Sequence, residues 1–349
     1  MARLSRVETQ AQNRGKVLAA AKAEFTERGF RETKIDRIAE RAELTRGAVY
    51  SNFPSKRALY FAVLAQVAEQ DAEPEHPPTA RTAGDALADF ARAWVDRIPL
   101  ASDEQHSPAR LDRDLLPEIA SDQRTSLPFA QLTNLGAIVL GLCLEHTRHR
   151  SRMVQVAELA LTTLHGASQL ASAAPGFGDP FHLVLACEQL AGLDLDDVWQ
   201  PAYLQHISPA RPVDQPWTPP ELTDALRDEP VKPGDDEVVA VLGLHRLSAV
   251  EEALRVAPSV TLALVTGNPG ELGPLARLAV ADLRRCLRAA VPPKHWPRLR
   301  IVHDESGAVA AAAGVSAVSD ATETAVRIRE NRIVARAEGW GACHAAAST

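Results

Sequence analysis

The sequence predicts a multi-domain protein in which an all-α N-terminal part is followed by a smaller α/β domain. Its 349 residues exceed one ordinary domain, and an apolar content of 46% argues against a chain that is disordered throughout. Apolar residues recur at helical spacing up to about residue 205, and they form compact β-rich runs after residue 234. Seven prolines fall within residues 206–233, between the two patterns.

The first 70 residues predict four short helices. The first should end at Gly29, because glycine readily adopts the left-handed conformation that stops a helix. The second begins after Thr33, the third at Thr45 and the fourth at Ser55, each of which can cap a helix. The second and third helices flank a tight turn at Ala42–Leu44 and therefore predict a helix-turn-helix motif.

Residues 82–205 predict a helical body with long apolar stripes. The longest stripe runs from Met153 to Leu164 and is almost free of charge. Such stripes exceed what one small bundle usually buries, so they indicate either a helix–helix dimer seam or a thick core. The segments expected at a seam are Met153–Ala171 and Pro180–Ala191.

The tail predicts alternating strands and helices after a linker. Prolines remove backbone donors, so residues 206–233 are expected to form a semi-extended linker. Beyond it, strands are expected at 237–244, 260–266 and 298–304, with a long helix over Leu272–Ala290 and a final hairpin. The expected boundaries are 1–72, 80–205, 206–233 and 234–349.

Charge is distributed unevenly along the chain. Residues 1–60 contain 13 Lys and Arg against 7 Asp and Glu, whereas the whole chain has a net charge of −7. A small basic N-terminal part on a large acidic remainder favours a nucleic-acid-binding module at the N-terminus.

The segment AELTRGAVYSNFPSKRALYFAVL closely resembles the pattern of the TetR family of bacterial repressors. In this fold the second helix of the motif lies in the major groove, and residues at its N-terminus meet base edges. The matching positions are Ala42, Leu44, Thr45, Gly47, Tyr50, Phe53, Lys56 and Leu59. Glu43 and Asn52 depart from the pattern, where the family often has Gly and His.

The resemblance implies specific DNA contacts in residues 1–72. It assigns phosphate contacts to Thr33, Tyr50 and Lys56 and base contacts to Thr45 and Arg46, while Asn52 can still donate to a phosphate. Gly47 would allow close approach to the DNA backbone. The DNA-binding residues expected are therefore Thr33, Lys34, Thr45, Arg46, Gly47, Tyr50, Asn52 and Lys56.

The resemblance also implies a homodimer that reads a pseudo-palindromic operator in double-stranded DNA. Residues 80–205 would be the dimerisation and effector-binding domain, where an unknown small molecule releases a repressor from DNA. Inward-facing candidates for the effector pocket, for which ordinary core packing is the alternative, are Phe90, Trp94, Phe129, Cys143, His146 and His165. The protein is then expected in the cytoplasm, associated with the nucleoid.

Residues 234–349 resemble the thioredoxin/peroxiredoxin superfamily in the order of their elements. The position of the family's redox cysteines reads GNPGELGP, with no cysteine, so the resemblance implies a thioredoxin-like fold that is non-catalytic. The tail would then cap the dimer or bind a ligand or a protein partner. The competing function is a thiol-redox enzyme with a regulatory DNA-binding head.

No cofactor, metal or membrane partner is expected. The four cysteines, Cys143, Cys187, Cys286 and Cys343, are scattered and form no C-x-x-C spacing. His146 and His149 have an H-x-x-H spacing, but the sequence places no third ligand beside them. No apolar run approaches the length of a membrane span, and the N-terminus lacks the apolar region of a secretory signal.

Overall fold

The computed structural model describes residues 6–70, 77–98, 111–148, 152–200, 207–231, 234 and 236–349. The helices of the N-terminal part are α1 (Arg6–Glu32), α2 (Ile35–Arg41), α3 (Arg46–Asn52), α4 (Lys56–Glu69), α5 (Ala83–Val95), α6 (Leu115–Ala120), α7 (Gln123–Arg148), α8 (Val154–Ala173) and α9 (Pro180–Leu190). These bounds agree with the predicted starts of helices two to four. Gly29 has a φ of 75° and interrupts α1 at the point where the sequence predicts its end.

The C-terminal part is a mixed sheet with helices. Its strands are β1 (Arg211–Pro216), β4 (Asp236–Gly243), β5 (Val260–Val265), β6 (Leu299–His303), β7 (Glu323–Arg329) and β8 (Arg332–Glu338), in the order β1-β8-β7-β4-β5-β6; β2 (Thr223–Asp224) and β3 (Glu229–Pro230) form a separate pair. The helices are α10 (Val250–Leu254), α11 (Leu272–Ala290), α12 (Ala308–Ala312) and α13 (Ala342–Ala347).

The sheet combines two kinds of strand pairing. Strands β4, β5 and β6 are parallel, while β7 and β8 form an antiparallel hairpin beside β4. The hairpin turns at Glu330 and Asn331, both with positive φ, as its two-residue loop requires. This arrangement confirms a mixed sheet with helices, but it does not confirm the expected thioredoxin-like fold.

Part of the proline-rich segment belongs to the sheet. Strand β1 pairs antiparallel with β8, and its prolines are tolerated because it is an edge strand. Trp217, directly after it, is 3% exposed and packs with the apolar residues on one face of the sheet. This part of the proline-rich segment therefore belongs to the folded sheet and is not only a linker.

Helix α11 packs against the N-terminal part as well as against its own sheet region. It contacts α4, α5 and α7, and its buried residues belong to one apolar core that extends from Val17 in α1 to Ala347 in α13. Helix α4 lies in the middle of this core, and every residue from Ala58 to Ala65 is buried. The two halves thus share a core, and the predicted domain boundaries remain predictions.

One stretch among the described residues, Gln123–His146 in α7, has the length and composition of a membrane span. Most of its apolar surface is buried, and α7 packs against α5, α8 and α11. Its hydrophobicity is therefore accounted for by its position in the protein core.

We expect Leu287→Ala in α11 to lower the free energy of unfolding by about 2–5 kcal/mol, because Leu287 is fully buried in the shared core. Urea denaturation followed by circular dichroism measures this change. Val256→Ala is the control, because Val256 is 49% exposed and its truncation should change stability by less than about 0.5 kcal/mol. Equal stability of the two variants would contradict a shared core.

Candidate nucleic-acid interface and ligand cavity

Helices α2 and α3 form a closed helix-turn-helix. The turn between them contains Glu43 with a φ of 56°, in the left-handed region where the family's usual Gly is unstrained. The Leu44 N–H donates to the Ala39 carbonyl at 2.9 Å, which closes the turn. Thr45 is the N-cap of α3, and its hydroxyl accepts a hydrogen bond from the Ala48 N–H at 3.2 Å.

Three predicted DNA-binding residues share the exposed side of α3. Arg46, Gly47 and Tyr50 are exposed, and the Arg46 guanidinium lies 5.6 Å from the centre of the Tyr50 ring. Arg46 also pairs with Asp36 at 3.4 Å, but both side chains are largely in solvent, so a phosphate or base can displace this contact. The arrangement leaves a cation and a phenol hydroxyl available at the start of the helix.

Gly47 is not required by the packing of the motif. A Cβ atom there would meet only the Thr45 hydroxyl, 3.8 Å away, and the residue is helical. Glycine costs a helix about 1 kcal/mol relative to alanine, and nothing inside the described protein offsets that cost. Its absence of a side chain is useful where another molecule approaches the helix closely.

Thr33 differs from its expected role as a phosphate contact. Its side chain is 2% exposed, and its hydroxyl donates to the carbonyls of Gly29 and Glu24 at 2.7 and 3.1 Å. The hydroxyl therefore satisfies carbonyl groups where α1 ends, and it faces the protein interior. Lys34, the next residue, is exposed at the N-cap position of α2.

Lys56 also faces inward. Its ammonium group donates to the carbonyls of Phe30, Thr33 and Arg31 at 2.8, 3.1 and 3.4 Å, and it lies 4.3 Å from the centre of the Phe30 ring. Burial lowers the pKa of Lys56. These three carbonyls can use all three donor positions of the ammonium group, which ties α4 to the end of α1. The phosphate contact expected of Lys56 stays a prediction.

Asn52 ends α3 and is only partly exposed. Its side-chain amide donates to the Ala48 carbonyl at 2.8 Å, and its own carbonyl accepts from Arg14 at 3.1 Å. The Arg14 guanidinium also lies 4.3 Å from the centre of the Phe53 ring. Arg14 was not singled out by sequence; it holds the end of α3 against α1.

Four of the six predicted pocket residues line one cavity of about 110 Å³ in the helical body: Phe90, Trp94, Phe129 and His165. The His165 ring meets the rings of Trp94 and Phe129 edge-on, at centroid distances of 4.8 and 5.6 Å. The Trp94 indole donates to the Ser168 hydroxyl at 3.0 Å. Burial lowers the pKa of His165, which favours the neutral imidazole.

The other two predicted pocket residues lie elsewhere. Cys143 is fully buried farther along α7, beyond the residues of that helix that line the cavity. The His146 ring donates from Nδ1 to the Leu142 carbonyl at 2.9 Å and stacks on His295. Cys143 and His146 continue the helical repeat of α7. The helix extends beyond the cavity, however, so neither residue lines it. His149 lies outside the described residues.

The C-terminal part supplies one wall of the cavity. Leu275, Leu278 and Leu283 of α11 face it, and Asp282 of the same helix pairs with Arg97, which follows α5. This wall has no signal in the sequence, because the helical repeat of α11 shows an apolar face without showing which surface covers it. The cavity therefore lies between the helical body and α11.

The floor of the cavity is joined to the helix-turn-helix part. The Tyr60 hydroxyl of α4 donates to the Leu111 carbonyl at 2.8 Å, and the Phe30 N–H donates to the Asp114 carboxylate at 2.9 Å. Asp112, between these two partners, lines the cavity. A change at the cavity floor can thus reach α1 and α4 through two hydrogen bonds.

Arg57, at the start of α4, forms a second connection between the helix-turn-helix part and the rest of the protein. It forms ion pairs with Asp122, 2.7 Å away in the turn before α7, and with Glu271 in the loop before α11. Gly270 in that loop approaches Pro54, where an added Cβ would lie 3.2 Å from the proline ring. The loop at the position of the thioredoxin superfamily's redox cysteines therefore contacts the helix-turn-helix part.

Residues 17–63 match the family described as bacterial regulatory proteins, tetR family. The HTH-type transcriptional activator FasR of Mycolicibacterium smegmatis is 42% identical over 53 residues, which are 15% of this chain and 24% of FasR. This match thus spans about a quarter of the relative.

Solved structures of regulators cover about half of this chain. A TetR transcriptional regulator from Rhodococcus sp. RHA1 has a TM-score of 0.36 at 17% identity, covering 54% of this chain and 99% of its own. NalD, the secondary repressor of the MexAB-OprM multidrug efflux pump in Pseudomonas aeruginosa, has a TM-score of 0.33 at 20% identity, covering 53% and 96%.

We expect Lys56→Ala to lower the free energy of unfolding by about 1–3 kcal/mol, because it leaves three carbonyls without their charged donor. Thermal and urea denaturation measure the loss. Lys34→Ala removes an equal charge from an exposed position and should change stability by less than about 0.5 kcal/mol. If both variants lose the same stability, Lys56 is not a structural tie.

Proposed function

We propose that this chain, whose N-terminal region is a tetR-family helix-turn-helix domain, is a dimeric transcription regulator that binds a pseudo-palindromic operator. It acts as a repressor that a small molecule releases from DNA, in the cytoplasm and on nucleoid DNA. The observation that carries the proposal is the exposed start of α3, where Arg46, Gly47 and Tyr50 stand together. A recognition helix contacts bases through these positions.

The charges near α3 support contact with DNA. Lys34, Arg37 and Arg46 are all exposed on the helix-turn-helix, and the free N–H groups at the start of each helix add positive potential. In this role Arg46 and Thr45 face bases, Tyr50 contacts a phosphate, and Gly47 lets the DNA backbone approach. Thr33, Lys56 and Asn52 position the motif from inside.

A second copy of the chain is the partner we propose for α8 and α9. Leu170 of α8 and Phe181 and Leu185 of α9 are 49%, 78% and 54% exposed, in the two segments whose apolar stripes predict a seam. Large exposed apolar side chains on adjacent helices are typical of protein interfaces. In the dimer the two recognition helices would stand about 34–36 Å apart, one turn of B-DNA.

Effector release would use the cavity between the helical body and α11. A ligand that binds there changes the equilibrium between DNA-binding and released states by its differential affinity for the two. The hydrogen bonds from Tyr60 and Phe30 join the cavity floor to α4 and α1, so a ligand that moves the floor would also move these helices. We propose no enzymatic step.

A thiol-redox enzyme is the competing function, and the cysteines do not favour it. All four are buried, and burial raises the pKa of the Cys187 thiol to about 11 and raises the pKa values of Cys143 and Cys343 as well. Redox chemistry needs an accessible thiolate, which such groups supply poorly near neutral pH.

A gel shift with DNA from upstream of the protein's own coding region tests operator binding. We expect nanomolar affinity that falls steeply with salt, a loss of about 5- to 150-fold for Tyr50→Ala, and loss of sequence preference for Arg46→Ala. Arg211→Ala, at an exposed position of β1, should bind as the unsubstituted protein does. Unchanged binding by both helix variants would show that α3 is not the recognition helix.

We expect Phe181→Asp to convert the dimer into a monomer, because it places a charge in the proposed seam. Size-exclusion chromatography with light scattering gives the mass, and operator affinity should fall in parallel. Trp340→Asp is the control, since Trp340 is 58% exposed but belongs to the turn between β8 and α13 and not to α8 or α9. A Phe181→Asp protein that stays dimeric rules out this seam.

A further inference from the structure

Helix α8 presents two neutral polar side chains to the cavity between the helical body and α11. His165 and Gln169 are four residues apart in α8, so they lie on the same face of the helix, and both line the cavity. Among the described residues, neither side chain forms a hydrogen bond. Burial lowers the pKa of His165, so at neutral pH one ring nitrogen donates and the other accepts. The two side chains thus offer donors and acceptors to a ligand.

The hydroxyl groups around them are already used inside the helices. Thr133 of α7 and Ser168 and Ser172 of α8 each donate to the carbonyl four residues earlier in their own helix, at 2.9, 3.0 and 3.2 Å. A hydrogen bond that stays inside its helix gives a ligand no donor. On the described lining, the neutral groups that can pair with a ligand at no internal cost are therefore the imidazole and the amide of α8.

The charged groups of the lining are paired with one another. They are three arginines and two aspartates, Arg97, Arg113, Arg285, Asp112 and Asp282. Arg97 forms an ion pair with Asp282, and the charges of Arg97 and Arg285 act on the Asp112 carboxylate. Arg113 lies 3.8 Å from Asp114, which is next to the cavity. A charged ligand would lose its hydration and disturb these pairs, whereas an uncharged ligand leaves them in place.

The size and the apolar lining favour a single aromatic ring. The cavity has a volume of about 110 Å³, and a buried apolar cavity of roughly 150 Å³ holds one benzene ring. Trp94 and Phe129 supply aromatic rings, which prefer offset or edge contacts with another ring. Leu275 and Leu278 of α11 close the other side. The apolar part of the ligand is therefore limited to about one six-membered ring.

We propose that the cavity binds an uncharged single-ring phenol, with its hydroxyl on His165 and Gln169 and its ring between Trp94 and the leucines of α11. This inference rests on the proposed ligand-responsive function and names the ligand class of that site. A phenol hydroxyl donates one hydrogen bond and accepts another, so it can donate to a His165 ring nitrogen while it accepts from the Gln169 amide. With a pKa near about 10, a phenol stays uncharged at neutral pH.

Fluorine-observed NMR spectroscopy with the full chain tests the ligand class. The probes share one fluorinated ring: 4-fluorophenol, 4-fluorotoluene, 4-fluorobenzoate and 4-fluorobenzylamine. At pH 7 we expect the phenol to bind about 2- to 12-fold more tightly than the toluene, the gain from one net hydrogen bond. It should bind at least about tenfold more tightly than the two charged probes, which must lose their hydration.

Three results would overturn the proposal. The first is a charged probe that binds as tightly as 4-fluorophenol, and the second is a toluene that binds as tightly as the phenol. The third is no binding by any of the four probes. The ranking uses the unsubstituted protein, so it does not depend on whether a variant folds.

His165→Phe separates the hydrogen bond from the aromatic contacts, because it keeps a ring and removes the ring nitrogens. It should lower the affinity for 4-fluorophenol to that for 4-fluorotoluene and leave the affinity for the toluene unchanged. His245→Phe is the matched control, because His245 does not line the cavity, and it should bind both probes as the unsubstituted protein does. Equal phenol affinity in the two variants would contradict the proposed role of His165.

Gln169→Leu is the second variant, and it should also weaken binding of the phenol relative to the toluene. An operator gel shift without any probe tests the proposed DNA binding separately. Intact operator binding with a failed probe ranking overturns only the ligand class, whereas lost operator binding with the expected ranking overturns only the proposed DNA-binding function.

Discussion

The buried sides of α11 connect the two halves of this protein. Helix α11 belongs to the C-terminal part by sequence, yet it covers α4, α5 and α7 of the N-terminal part and completes their core. The position of α4 follows from it, since α4 is buried from Ala58 to Ala65 between its neighbours. The cavity also follows from it, because removing α11 would open one complete wall.

Charged contacts set how the shared core is oriented. Arg152, just before α8, binds Glu251 of α10 at 2.7 Å, and Arg255 binds both Glu251 at 2.9 Å and Glu145 of α7 at 2.5 Å. Buried ion pairs give little net stability, but a misplaced pair is expensive, so they favour one arrangement over others. Arg57 does the same at the other end, where α4 meets the loop before α11.

The sequence predicts elements well where a local rule sets them. Thr45 and Ser55 cap the helices that follow them, and α11 spans Leu272–Ala290 as expected. Local rules do not show which surface covers an apolar face, so the packing of α11 on the helical body was missed.

The same limit explains where the structure and the expected site residues differ. Thr33 and Lys56 have residue types that suit phosphate contacts, but the carbonyls at the end of α1 use their donors. Cys143 and His146 continue the helical stripe of Phe129 past the end of the cavity. Asp112 carries no motif, and only folding brings it beside the aromatic residues. Arg46, Gly47 and Tyr50 lie on an exposed surface, where no internal partner competes for them.

The position of α11 in the chain also has a consequence for biosynthesis. Helices α4 and α5 are complete by residue 95, but the helix that covers them begins only at residue 272. At about 5–20 residues per second, the ribosome needs roughly 10 to 35 seconds to make the chain between them. During that interval the side of α4 that α11 covers has no permanent cover, so it stays exposed until the last quarter of the protein is being made.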